Sequence, residues 1–332
     1  MSSPPPSPPV DPVAVPPPSQ PLPGSWRGAT TRRERAALLL SVVKPPLYSV
    51  ALVPALVGFA AAFIQTGAAA PGRLGCCVAA AVAVIAWLNL SNDAWDAATS
   101  VDAAKTESAV RLTGSARAVS IAAWCCLAAG VAGFAALLLP RRDPVPAVLL
   151  FCALACGVLY QAPPFRWSYK GRGEPLCFLA FGPLATPAFY LLACPVGTPL
   201  SPALGVCSLL VGATTAAILF CSHFHQTATD AAAGKRSPVV ALGTDGAASV
   251  LAAGVGATHA LAVAAALLRL LPLPVAVASL AAAPLGSSLV KFVSRHHGEP
   301  DVVRTAKFRA VRWHAAHGLA ITLAMAACGR AG

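Results

Sequence analysis

The sequence predicts an all-α integral membrane protein, a bundle of nine transmembrane helices behind a proline-rich, basic tail. Three observations carry that prediction. Of 332 residues, 57% are hydrophobic and only 11% charged, with a mean hydropathy of +0.69. A soluble domain carries about 25% charged residues, so this chain cannot cover a water-soluble globule. Its apolar residues fall into nine runs bounded by Pro, Gly or charge: 47–64, 75–92, 116–138, 145–160, 176–194, 203–222, 247–271, 274–292 and 311–328. Each is near the roughly 20 residues that cross a bilayer as a helix. The runs do not alternate as barrel strands would, and a helix satisfies its own backbone groups in lipid.

Residues 1–25 hold 11 of the 31 prolines among serines, a composition expected to stay disordered or polyproline-like. Arg27 to Arg35 add a basic patch, so 1–40 reads as a tail compatible with an organellar transit segment and equally with a solvated juxtamembrane tail. Residues 41–332 are then the transmembrane domain.

The net charge of +12 is not spread evenly. With nine spans, the tail and the 2–3, 4–5, 6–7 and 8–9 loops share one face, and that face collects 19 of the 24 Lys and Arg residues. Such a bias is the signature of the cytosolic side or its organellar equivalent. It explains the basicity without nucleic acid, and no protein partner is implied. Eleven of the 12 acids share that face, with Asp143 alone opposite. Acids hardly affect topology, so a face rich in both signs reads as a site for a charged substrate. The 11 cysteines lie mainly inside apolar runs with no CxxC pair, and act as small hydrophobes.

Three constellations on the basic face carry chemistry. Asn89, Asn92, Asp93 and Asp96 recur at spacings of three and four, which puts them on one helix face at the polar end of span two. Two carboxylates one turn apart suit Mg²⁺, which takes one or two carboxylates and leaves the other positions to water and phosphate oxygens. Asp102 follows, where a loop can fold it back. The second constellation is Cys221-Ser-His223-Phe-His225-Gln226, then Asp230 and Gly234-Lys235-Arg236. Gly234 permits a turn that brings both cations near an anion. The two histidines read as polar, hydrogen-bonding groups rather than a metal pair. The third runs from Tyr160 through Pro164 and Arg166 to Tyr169, Lys170, Arg172 and Glu174, a helix-end tyrosine and a Pro-fixed turn beside cations.

At these residues the chain resembles the UbiA superfamily of membrane prenyltransferases. Asn89-x-x-Asn-Asp93-x-x-Asp96 is similar to its first aspartate motif. Asp102 to Gly114, Gly-Arg-Gly-Glu174 to Pro183, and His-Phe-His-Gln226 to Lys235 resemble its MenA-type branch, and Lys44-Pro45 before span one fits as well. The likeness covers roughly 40–330 in order. In many relatives the second motif is Asp-x-x-x-Asp; here Gln226 takes the first position, which thins the second cluster.

The resemblance implies a nine-helix bundle that moves a phytyl or polyprenyl group from its diphosphate to an aromatic ring, with Mg²⁺ as cofactor. The branch implies 1,4-dihydroxy-2-naphthoate as acceptor, with loss of its carboxylate, in phylloquinone or menaquinone biosynthesis at a chloroplast membrane, thylakoid or envelope. It assigns Asp93, Asp96 and Asp230 to the metal, with Asp102 beside them and Asn89 orienting them. Lys44, Arg166, Lys235 and Arg236 hold the diphosphate, Tyr160 faces it, and the prenyl tail lies between helices open to membrane lipid. The residues single out no catalytic base. The rivals are a homogentisate-type prenyltransferase or chlorophyll synthase, a non-catalytic relative and a transporter. A transporter would place its charges at the midplane, whereas these acids lie at one face.

Overall fold

The computed structural model describes residues 31–33, 44–97 and 108–329. The expectations for residues 1–30, 34–43 and 98–107, Asp102 included, therefore lie outside the described residues. What is described is helical, with nine long helices and no strand among the described residues.

A turn at Pro45–Tyr48 leads into α1, Ser49–Thr66. There follow α2 (Pro71–Asp96), α3 (Ala116–Leu138) and α4 (Pro144–Gln161). Next come α5 (Gly173–Ala193), α6 (Pro202–His223) and α7 (Pro238–Leu267). The last two are α8 (Leu273–His296) and α9 (Ala306–Cys328). Among the described residues, eight stretches are long and apolar enough to cross a membrane. The exception, α9, has 23 residues but carries Arg312, His314 and His317 in its first half.

The helices start where the sequence supplies caps. Asp143 accepts from the Val145 amide, Ser115 from Ala118, Ser201 from Leu204 and Ser237 from Val240, each satisfying an amide that a helix start leaves open. Two spans show the largest departures from expectation at a single end. Span seven begins at Pro238 rather than 247, because its helix continues across a kink at Gly243, and it ends at Leu267 rather than 271. Span nine begins five residues early, since its helix extends through Lys307 and Arg309 ahead of the apolar run.

The bundle is built around α1, which packs against α2, α5, α6 and α9. Its Ala/Val/Gly composition lets neighbours approach closely, the usual basis of helix association in lipid. Within α5 a π-helical turn, Ala180–Ala185, sets Gly182 directly against Ser208 and Gly212 of α6, where a side chain would collide with backbone. By contrast α3 and α4 show Trp124, Phe151 and Val148 outward, as lipid-facing helices do. Between α2, α4 and α5 the packing leaves a cavity of ≈ 260 Å³.

Candidate active site

The cavity is apolar along most of its length, lined by Val84, Ile85, Phe134, Leu150, Leu154 and Phe189 among others. Asn89, Asn92, Tyr160 and Gln161 mark its polar part, toward the ends of α2 and α4 that face the basic side.

The aspartates of α2 lie at this polar end and are buried, at 3% and 7% exposure for Asp93 and Asp96. Asp93 Oδ2 accepts the Ala109 amide at 2.9 Å, and Lys44 Nζ stands 3.6 Å from Oδ1. Asp96 Oδ1 accepts the Tyr169 hydroxyl at 2.9 Å. Asp230, 1% exposed, sits in the short helix Thr227–Ala232 that follows α6. Lys235 Nζ lies 3.3 Å from its Oδ1 and 3.2 Å from Oδ2. The turn anticipated at Gly234 is present. This residue takes a left-handed conformation (φ 73°), and the Lys235 amide donates back to the Asp230 carbonyl at 2.8 Å.

Tyr169 joins the three constellations. Its hydroxyl binds Asp96, and its carbonyl accepts the Arg236 amide at 2.8 Å. Its ring lies 5.5 Å from the Arg166 guanidinium and 5.9 Å from Lys235 Nζ, within the range of a cation–π contact. Gly171, two residues on, is left-handed (φ 70°), and a side chain there would strike the Arg236 carbonyl. Asp93, Asp96 and Asp230 therefore share one end of the bundle, with Asp230 tied to Asp96 through Lys235 and Tyr169. Tyr160 is within electrostatic reach of Glu174, Asp96 and Asp230, and its carbonyl accepts the Ser168 hydroxyl.

Of the residues singled out by sequence, Asp93, Asp96, Asn89, Tyr160, Lys44, Arg166, Asp230 and Lys235 meet here. Arg236 contributes its backbone, with its side chain exposed; Asp102 lies outside the described residues. Two features were missed. One is the linking role of Tyr169. The other is the pair His223–Glu174, joined at 2.9 Å with side chains 3% and 12% exposed, so His223 hydrogen-bonds as expected but to an unforeseen partner. An acid at the buried start of a membrane helix was the available signal. Arg172 lies over the Trp167 ring at 5.4 Å.

The donor set at this mouth is oxygen: Asp carboxylates, Asn amides and tyrosine hydroxyls, the ligands of a hard cation such as Mg²⁺. Asn89 Nδ2 is buried without a hydrogen-bond partner, so its amide can still turn toward an added group. Among the described residues no three His, Cys, Asp or Glu side chains converge on one metal position. The arrangement fits ions held by one or two carboxylates each and completed by phosphate oxygens, not an all-protein cage. Buried carboxylates opposed by cations, above an apolar cavity, suit a ligand with a polar anionic head and an apolar tail, as the family resemblance implies.

Comparison with known proteins agrees. The UbiA prenyltransferase family model matches residues 51–314, and the chain belongs to that family. It is 43% identical over 298 residues to the chloroplastic 2-carboxy-1,4-naphthoquinone phytyltransferase of Arabidopsis thaliana, covering 88% of this chain and 77% of that protein. It is 38% identical to the 2-carboxy-1,4-naphthoquinone phytyltransferase of Synechocystis, covering 91% and 95%. In fold it is similar to a UbiA homolog from Archaeoglobus fulgidus bound to GPP and Mg²⁺, with TM-score 0.58 at 18% identity over 86% of this chain and 99% of that one. A digeranylgeranylglyceryl phosphate synthase structure matches with TM-score 0.52 at 14% identity, covering 89% and 99%.

Proposed function

We infer that this prenyltransferase moves a phytyl group from phytyl diphosphate to 1,4-dihydroxy-2-naphthoate, with Mg²⁺, in a chloroplast membrane. The observation that carries the reading is the meeting of Asp93, Asp96 and Asp230 with Lys44, Arg166 and Lys235 at the polar end of an apolar cavity. The two phytyltransferase relatives support the donor and the acceptor, and the Arabidopsis protein supports the compartment.

Asp93 and Asp96 on one side, and Asp230 on the other, would hold Mg²⁺ against the diphosphate. The metal supplies charge neutralisation of the leaving oxygens. Lys44, Arg166 and Lys235 add fixed positive charge beside the same oxygens, where negative charge grows as the allylic carbon–oxygen bond breaks. Arg236 extends this from the rim. The apolar walls take the tail and keep water from the allylic carbon. A ring carbon of the dihydroxynaphthoate forms the new carbon–carbon bond, carbon dioxide leaves from that carbon, and the bonding pair it releases restores the aromatic ring. The His223–Glu174 pair, whose Glu174 Oε2 is buried with no hydrogen-bond partner, would take the proton of the acceptor's hydroxyl as the ring attacks and return it once carbon dioxide has left, giving the quinol.

The test is turnover by the purified protein with Mg²⁺, offering phytyl or geranylgeranyl diphosphate against dihydroxynaphthoate or homogentisate. Decarboxylated phytyl-naphthoquinol as the dominant product supports the reading. Preference for homogentisate, or no product with any pair, overturns it in favour of the homogentisate-type or non-catalytic alternatives.

A further inference from the structure

Away from this mouth, on the same basic side, α8 and α9 enclose an open groove of ≈ 490 Å³. Its walls include Ser287, Ser288, Lys291, Phe292 and Arg295 of α8 and Arg309 of α9. None of these takes part in the proposed prenyl transfer. Among the described residues, Lys291, Arg295 and Arg309 make no ion pair with a carboxylate. The nearby acid Glu299 is engaged instead by His296 at 3.0 Å. Arg309 is held in place, its guanidinium 4.0 Å from the centre of the Phe292 ring. Three uncompensated cations beside two hydroxyls form a cradle for the oxygens of a phosphate or sulfonate.

The pattern along α8 says how such a group would arrive. Positions 284, 288, 291 and 295 succeed one another at three- and four-residue steps and share one side of the helix Ala283–His296, and positions 277 and 280 precede them across a one-residue break at Ala282. That stripe runs from exposed Val277 and Leu280 through Pro284 and Ser288 to Lys291 and Arg295. Apolar residues in the bilayer, hydroxyls next and cations at the interface match an amphiphile with an anionic head and acyl tails. A free phosphate would use only the upper third.

We propose that this groove is a binding site for one anionic membrane lipid, its phosphate or sulfonate held by Lys291, Arg295 and Arg309 and its tails laid along α8. Basic clefts between helices at this face attract anionic head groups by about a factor of five per cation. The short helix Pro300–Val303, between α8 and α9, packs on the turn Phe224–Gln226 that leads to Asp230. Occupancy would thus bear on the segment carrying one of the site's carboxylates.

The experiment uses the full chain in neutral detergent, supplemented with phosphatidylglycerol, phosphatidylcholine or inorganic phosphate. Thermal unfolding and retained lipid, by native mass spectrometry, are the readouts. Phosphatidylglycerol should be retained and should raise the unfolding midpoint, whereas phosphatidylcholine and phosphate should not. The Lys291→Gln and Arg309→Gln variants should each bind it roughly fivefold more weakly, and the double variant about 25-fold. Arg304→Gln, an exposed cation outside the groove, should bind as the parent does. Equal weakening in Arg304→Gln would mean a diffuse charged surface and overturn the proposal. So would protection by phosphate alone, or equal protection by the two lipids.

Discussion

The two membrane faces of this protein use the same residue types for opposite ends. On the sparsely charged face, charges complete helix termini. Asp143 caps the start of α4, and Arg73 and Arg141 donate to the Leu192 and Cys194 carbonyls at the end of α5. Each cancels a partial charge that the backbone leaves open. On the basic face, Asp93, Asp96 and Asp230 are buried; Asp93 faces Lys44 and accepts the Ala109 amide, Asp96 accepts the Tyr169 hydroxyl from another loop, and Asp230 pairs with Lys235 across the Gly234 turn. Burying carboxylates there costs stability unless they are compensated, and a fold retains them where a ligand uses them. Charge that closes a helix end is architectural, and charge gathered at a cavity mouth is chemical.

That contrast is breakable by mutation, and the largest effect should come at the mouth. Asp93→Asn should lower turnover of prenyl diphosphate by about 10²–10³, the loss seen when one preorganised electrostatic group is removed from an active site, with the midpoint of unfolding little changed. Retained turnover would remove Asp93 from the metal set. Chelation should silence the parent enzyme and Mg²⁺ restore it; activity surviving chelation would remove the metal from the mechanism.

Tyr169→Phe keeps the ring between Arg166 and Lys235 but deletes the hydrogen bond to Asp96. A hydrogen bond to a charged group contributes about 1.5–3 kcal/mol, so kcat should fall roughly 10- to 100-fold. An unchanged kcat would reduce Tyr169 to packing. On the opposite face the order reverses: Arg141→Ala should cost about 1–3 kcal/mol in stability and leave kcat and KM as they were. Asp143→Ala should show the smallest effect, about 1 kcal/mol for a lost cap, again without kinetic consequence. A kinetic defect in either would erase the distinction between the faces.

The first aspartate cluster was legible because helical spacing is local: residues three and four apart share a face whatever surrounds them. The turn at Gly234 was legible for a similar reason, as one residue permits it. Tyr169 was not, since its hydroxyl meets Asp96 across 73 residues and its ring meets Lys235 from a different loop. Nor was the His223–Glu174 pair, whose members are 49 residues apart. No periodicity connects them. The added turns of α7 were missed because its helix continues across a kink at Gly243, and those of α9 because Lys307 and Arg309 precede its apolar run.

By itself the sequence determined a helical membrane protein, the order and approximate number of its helices, and the charged residues that gather at one end of the bundle. These follow from the burial requirements of individual segments in lipid, which each segment carries in its own composition. Only the tertiary structure decided which cation faces which carboxylate, how Tyr169 links three stretches, and where packing leaves a cavity. Those depend on which helices end beside one another, a property of the bundle and of no single segment.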